Sequence, residues 1–407
     1  MVDSLKCYLT FVFKSVRGMF SGGPRYLAWL AVLAIVIAVG LLAYSRQATH
    51  GLGVTGMTDQ VSWGLYIANF TFLVGVAAAA VMMVIPGYLY HNQEVKGGVL
   101  LGEMVAIGAI IMCLLFVMAD LGRPDRMWHM IPYLGRFNWP ISMLSWDVLV
   151  LNGYLILNLH VPGYLLYKRY RGEKPAKWLY LPFVYISIVW AISIHTVTAF
   201  LYTGLAGRPF WNTAILAPRF IASAFCAGPA FIILVLELVR AYTAFPMGRR
   251  VIEFLRMVVL ISGLINVFLL ISEVFTEFYA DSAHVASIRY LYFGLHGHNE
   301  LVPWIWSSMA MNITALLMLV SRKFENRGVI LRNLPLLMLI VAIWIEKGMG
   351  LVFPGFIPTP LGEIVEYLPS LNEVLVSAGI WGCGLLVMSL LIKHAVDIET
   401  EVVRLRK

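Results

Sequence analysis

The chain has 407 residues, of which 60% are hydrophobic and only 13% charged, with a mean hydropathy of +0.81. Ordinary globular proteins carry about 25% charged residues, so a soluble protein, a secreted disulfide scaffold, a disordered tail and a nucleic-acid binder are excluded, and the apolar excess must face lipid. The formal net charge of +8 then reports orientation, because Lys and Arg mark the cytoplasmic loops of membrane proteins.

In chain order, residues 4–20 alternate Lys6, Lys14 and Arg17 with Tyr8, Val12, Phe13, Val16 and Phe20, which predicts an amphipathic helix lying on the membrane surface. Crossing roughly 30 Å of hydrocarbon takes about 20 helical residues. Runs of that kind fall at 26–45, 62–90, 98–120, 141–167, 179–204, 214–240, 251–279, 301–321, 329–346 and 373–394. Alternating strand patterns are absent, and backbone groups in lipid must bond internally, so the expected fold is an all-α integral membrane protein with ten transmembrane helices. The first of these is long and lacks a small-residue cleavage site, so no signal peptide is expected.

Assigning the 30 Lys and Arg to alternate sides puts 22 on the side of the termini and 8 on the other. The larger group includes Lys96, the cluster Lys168 to Lys177, Arg249, Arg250, Arg322, Lys323, Arg406 and Lys407; the smaller is Arg46, Arg123, Arg126, Arg136, Arg208, Arg219, Arg289 and Lys347. Both termini are therefore expected in the cytoplasm. Spans 2–5 and 6–9 both begin outside and both open on small and polar residues. This divides the chain into a cytoplasmic amphipathic segment (1–25), flanking helix 1 (26–45), a first four-helix bundle (60–205), a second tandem bundle (213–347), an external Pro-rich loop (348–372), and flanking helix 10 with its tail (373–407).

Metal and haem chemistry find little support. Of the nine histidines, His50, His91, His129, His160, His195, His284, His296, His298 and His394, only His160 and His195 fall clearly inside spans, and their depths match poorly for a shared haem. The four cysteines, Cys7, Cys113, Cys226 and Cys383, show no CxxC spacing, so no iron–sulfur cluster or zinc site is expected on this chain.

The densest constellation lies between spans 3 and 4: Asp120-Leu-Gly-Arg123-Pro-Asp-Arg126-Met-Trp128-His129-Met-Ile-Pro-Tyr133, then Asn138-Trp139-Pro-Ile-Ser-Met-Leu-Ser145-Trp146-Asp147. Gly122 and Pro124 end span 3, and Asp147 enters the first turns of span 4, where a carboxylate needs a partner or a proton. A quinone requires such a place: an apolar slot for its tail, donors to its carbonyls, and groups that pass two protons. Histidine changes charge near neutral pH, and a partly buried carboxylate can relay a second proton. The alternative is an aromatic belt with a loop ion-pair set, Asp120 and Asp125 with Arg123 and Arg126. Residue chemistry alone leaves the two level.

The string DLGRPDRMWHM followed by NWPISMLSWD resembles the signature region of the NrfD/PsrC family of quinone-interacting respiratory membrane subunits, and WGLYIANFTFLVGVAAAA resembles its first core helix. The likeness covers roughly 60–346. The added helices 1 and 10 resemble a ten-helix branch that includes the membrane subunit of menaquinone reductase complexes. That resemblance implies a membrane-embedded subunit of a respiratory oxidoreductase, inactive alone, in the bacterial cytoplasmic (inner) membrane. It implies menaquinone as substrate and no bound haem or iron–sulfur cluster. It implies a periplasmic iron–sulfur (ferredoxin-like) partner, with a molybdopterin-type subunit and a multihaem cytochrome c as further partners. The quinone site would fall at His129 and Asp147 near the periplasmic face, with Asp120, Arg123, Trp128 and Tyr133 close by and Trp63 and Asn69 lining the same slot.

Ionisable groups at membrane depth are functional candidates by default. A polar line from Asp147 or Asp120 past Asn152, His195, Asn158 and His160 to Glu103 would draw protons from the cytoplasm. The second bundle offers Glu273, Glu277, Asn266, Asn312, Glu237 and Glu346, where pairing near helix ends, such as Glu346 with Lys347, is the simpler reading. Two further functions remain open: a secondary solute or proton transporter coupled through Glu273 and His195, and a one-haem cytochrome b subunit.

Overall fold

A computed structural model describes residues 2–90, 92–280, 285–321, 324 and 327–404. His91, His284, Arg322, Lys323, Arg406 and Lys407, counted above, lie outside the described residues. Among the described residues the protein is all-helical, with ten helices long and apolar enough to cross a membrane. Span 1 is Pro24–His50, span 2 Leu65–Leu89, span 3 Val95–Asp120, span 4 Met143–Arg171 and span 5 Lys177–Thr203. Span 6 is Leu216–Tyr242, span 7 Arg249–Ala280, span 8 Val302–Val320, span 9 Val329–Phe356 and span 10 Leu371–Glu399.

Their neighbours are ordered by the chain. Span 2 packs on 3, 3 on 4, 4 on 5, and 5 returns to 2; span 6 packs on 7, 7 on 8, 8 on 9, and 9 returns to 6. These two closed rings meet where span 2 lies against spans 6 and 9. Span 2 is almost wholly buried, and its small residues permit the approach: an ideal Cβ on Gly75 would come 3.3 Å from Ala224 Cα, while one on Gly228 would overlap Ala79. Without a hydrophobic effect between lipid-immersed helices, such backbone proximity supplies the packing energy.

The flanking helices lie together on one side. Span 10 packs on span 3, and span 1 packs on span 10. Their crossing is glycine on glycine, with an ideal Cβ on Gly379 reaching 2.7 Å from Gly40 Cα. The amphipathic N-terminal helix Val2–Met19 forms as expected and rests on the end of span 10, Phe11 against His394 with ring centroids 5.7 Å apart, so both termini share one face. Two spans contain a wider π turn. In span 2 it covers Ile85–Leu89, where Pro86 cannot donate a backbone hydrogen bond; in span 9 it covers Trp344–Met349.

Two charges counted above on the less basic side are buried among the helices. Arg219 and Lys347 are buried within spans 6 and 9, which leaves six basic residues on that side.

Candidate functional site

The external loop after Asp120 is a short 3₁₀ segment, Pro124–Met130, followed by irregular chain that reaches span 4. His129 is exposed, its ring centroid 4.0 Å from that of Trp128. Trp128 is half exposed and Tyr133 is fully exposed with a left-handed φ of 68°. Gly135 runs so close beneath His129 that a Cβ there would overlap the His129 backbone. Of the expected ion pairs only one forms: Arg123 donates to Asp125 at 2.9 and 3.0 Å, and this guanidinium holds the exposed Asp125 carboxyl below its ordinary range. Asp120 instead ends span 3 with one oxygen buried and without a protein partner.

Asp147 sits in the second turn of span 4 and is 1% exposed. Its protein partner is the Thr198 hydroxyl of span 5 at 3.2 Å, which also donates to Ile194 O at 2.8 Å. One hydrogen thus serves two acceptors, and a buried carboxylate is left with at most half a bond. In the same ring Tyr202 is buried 2.5 Å from Thr71 and meets Trp63 and Trp211 edge-on at 5.3 Å. Trp63 stacks on Trp211, whose indole N–H donates to Leu351 O at 2.8 Å. This aromatic cluster floors a cavity of about 530 Å³ lined by Trp63, Arg208, Trp211 and Phe356. Among the described residues no hydrogen bond or ring contact joins His129 to Asp147.

Deeper in the first ring, His195 is fully buried and neither ring nitrogen has a protein partner. Asn158 donates to Tyr154 O at 2.8 Å, and Glu103 is 5% exposed with one oxygen unpartnered. The other two members of the expected line point away. His160 is exposed, 2.9 Å from Leu179 O, and Asn152 is exposed, bonded to Val148 O. At about 100° per residue, Asn158 lies only about 20° around span 4 from Asp147, whereas His160 lies about 220° away. His160 and His195 thus lie in different surroundings, one exposed and one fully buried.

The second ring encloses a charged centre. Arg219 donates to Glu346 at 3.0 Å and to Glu273, and Glu346 also accepts from Asn266 at 3.3 Å and Asn312 at 3.2 Å. The partner of Glu346 is thus Arg219, not Lys347. Within the π turn the two consecutive side chains diverge: the Lys347 ammonium lies 4.2 Å from the Phe220 ring centroid and 3.5 Å from where a Cβ on Gly75 of span 2 would stand. Glu277 follows Glu273 one turn on, and Glu237 is clamped to Arg332 at 2.9 Å. Arg219, Thr198, Tyr202 and Trp211 were not singled out in the sequence. Arg219 was legible in principle, since it sits three residues inside an apolar run rather than before it.

Trp63 and Asn69 do not share a slot. Asn69 faces the other side of span 2, where its Oδ1 accepts from Trp344 at 3.1 Å and Trp381 at 2.9 Å.

Residues 53–345 match the family described as polysulphide reductase, NrfD. The chain belongs to that family. It is accordingly a membrane subunit of the quinone- and polysulfide-type reductase complexes. It is 27% identical over 348 residues to a Halobacterium salinarum protein provisionally named as a membrane subunit of dimethyl sulfoxide reductase, covering 81% of this chain and 77% of that one. It is 24% identical over 216 residues to the Hdr-like menaquinol oxidoreductase integral membrane subunit of Archaeoglobus fulgidus, covering 53% and 51%. It is 26% identical over 104 residues to the menaquinone reductase integral membrane subunit of Nitratidesulfovibrio vulgaris, covering 26% and 25%.

Proposed function

We propose that this NrfD-family chain exchanges electrons between partner redox subunits and the menaquinone pool at a site near the outer, periplasmic end of the first ring. The observation that carries this reading is Asp147: a fully buried carboxylate with a shared hydroxyl for its protein partner, on the span entered from the exposed Trp128–His129 loop. A buried carboxylate so poorly compensated is suited to holding and releasing a proton. His129 donates to one quinone carbonyl and protonates it, and Asp147 orients the ring or relays the second proton. Asp120, Arg123, Trp128 and Tyr133 edge the site and Trp63 forms part of its wall, whereas Asn69 faces elsewhere.

The two contact rings support two tandem four-helix bundles, 60–205 and 213–347, with both termini in the cytoplasm of a bacterium. Electrons come from a periplasmic ferredoxin-like iron–sulfur subunit, itself fed by molybdopterin-type or multihaem cytochrome c subunits. Protons for the outer site rise from the cytoplasm past Glu103, Asn158 and His195, which makes the reaction electrogenic. Glu273 and Glu237 are held in ion pairs, which favours a structural role for the second bundle. The names of two relatives, one a menaquinol oxidoreductase and one a menaquinone reductase, point in opposite directions of electron flow, so both are assayed.

In the purified complex, His129→Ala and Asp147→Asn are expected to lower quinone turnover by about 100-fold or more, the usual worth of a positioned acid–base group, with the make-up of the complex unchanged. Undiminished turnover in His129→Ala overturns the assignment.

A further inference from the structure

On the side of span 2 away from Asp147, two cavities share Asn69 and Trp344 and form one slot between spans 2, 9 and 10. The upper, of about 380 Å³, is walled by Trp304, Trp344, Phe353 and Tyr367; the lower, of about 240 Å³, continues past Phe72 and Trp381. The size of the upper cavity falls within the range of small-molecule sites, about 300–1,000 Å³. From Phe353 down to Ile340 the slot follows span 9 for about 20 Å at 1.5 Å per residue. Its rim residues Val341, Leu368 and Val374 are exposed, so it opens sideways to lipid.

The slot contains two unspent hydrogen-bond donors. Asn69 is 3% exposed, and the indole N–H groups of Trp344 and Trp381 occupy its oxygen. Its amide nitrogen has two hydrogens and one protein acceptor, Leu65 O at 2.8 Å, which leaves one hydrogen for the slot. Ser377 is 5% exposed, lines the same cavity, and its hydroxyl has no protein partner. Leaving such groups unpaired in an apolar wall costs about 1–3 kcal/mol each. No Lys or Arg lines either cavity, and the one charged lining residue is Glu300, which does not suit an anionic headgroup.

We infer that this slot is a second site for a neutral, flat, two-carbonyl ring on an apolar tail, a quinone, with Asn69 and Ser377 donating to its carbonyls and the tail lying along Phe72, Ile340 and Trp381. The choice of quinone rests on the function proposed above; the position does not, since the slot shares no residue with the His129 and Asp147 site. The indole pair locks the Asn69 amide in one orientation, which fixes the direction of its free N–H.

The test is photoaffinity labelling of the whole complex, in quinone-depleted nanodiscs, with an azido-menaquinone analogue and peptide mapping. Label is expected on segments 340–353 and 368–381. Ser377→Phe, which fills the cavity, is expected to reduce that label more than tenfold while label at 120–147 persists; His129→Ala is expected to spare the slot. Should Ser377→Phe fail to assemble, Ser377→Ala removes one donor bond and is expected to weaken slot labelling roughly fivefold. Absence of label on these segments, label indifferent to both Ser377 variants, or a phospholipid retained there that the analogue cannot displace overturns the proposal. Slot label without any label at 120–147 would sink the His129 assignment and leave this one standing.

Discussion

Among the described residues, Arg219 is the cation on which two buried carboxylates converge. Glu273 and Glu346 both reach it, and Asn266 and Asn312 satisfy what remains of Glu346. Removing one member of a buried pair leaves an uncompensated charge at a cost of about 3–5 kcal/mol. Arg219→Met is therefore expected to destabilise the protein by about that amount, read as a lowered midpoint of unfolding in detergent. Adding Glu346→Gln and Glu273→Gln should recover most of the loss, because the stranded charges go with it. A wild-type midpoint in Arg219→Met would mean that the centre is hydrated rather than dry. The same lock bears on a transporter coupled through Glu273 and His195: Glu273 is committed to Arg219, whereas both ring nitrogens of His195 lack a protein partner.

At the scale of elements, the short helix Val285–Phe293 and the loop before span 10 are tied by Glu366, which accepts from Tyr290 at 3.0 Å and from the Glu300 backbone at 3.1 Å and lies 2.9 Å from His298 Nδ1. Burial raises the Glu366 carboxyl, but these bonds outweigh it and hold it below its ordinary range. A carboxyl depressed by folding contributes stability in full above its unfolded value of about 4.3 and loses it as pH falls through the lower folded value. The protection of the amides at 285–300, corrected for their intrinsic exchange rates, should therefore fall as pH drops below about 4, and Glu366→Gln should abolish that acid step. A step unchanged in Glu366→Gln would assign it to another group. The crossing of spans 1 and 10 makes a second expectation: Gly379→Val forces the helices apart at Gly40 and should cost about 1–3 kcal/mol, the usual range for overpacking, with proteolysis near residues 20–24 as the readout. The ten helices themselves were legible, because apolar runs of 20 residues admit no other structure in lipid. Which face of a helix each polar residue occupies was only half used: angular spacing alone separates His160 from Asp147 on span 4. The pairing of Arg219 with span 9 was not legible, because it joins residues more than 120 positions apart.

At the scale of the molecule, the rings of spans 2–5 and 6–9 and an even number of crossings predict one inside face. Single cysteines introduced in a background lacking Cys7, Cys113, Cys226 and Cys383 read this directly. His129→Cys should react with a membrane-impermeant maleimide in intact spheroplasts, and Lys174→Cys only in inverted vesicles. The reverse pattern would invert the topology and place the His129 loop in the cytoplasm. The two rings meet at the π turn of span 9, where Glu346 pairs with Arg219 of span 6 and the Lys347 ammonium lies between the Phe220 ring of span 6 and Gly75 of span 2. That turn holds one residue more than an α-helical turn would, so it fixes a reading frame in space. Deleting a single residue within 344–349 would let that turn close into a regular α-helix and leave the helix beyond it in register, because the wide turn already absorbs one extra residue. Leu351 would then keep the Trp211 indole and Phe356 the Trp63 cluster, while the widened backbone that carries Glu346 to Arg219 would be lost. For this span the middle carries a spare residue, so a one-residue deletion there is felt at the buried charged centre and not at the far membrane surface.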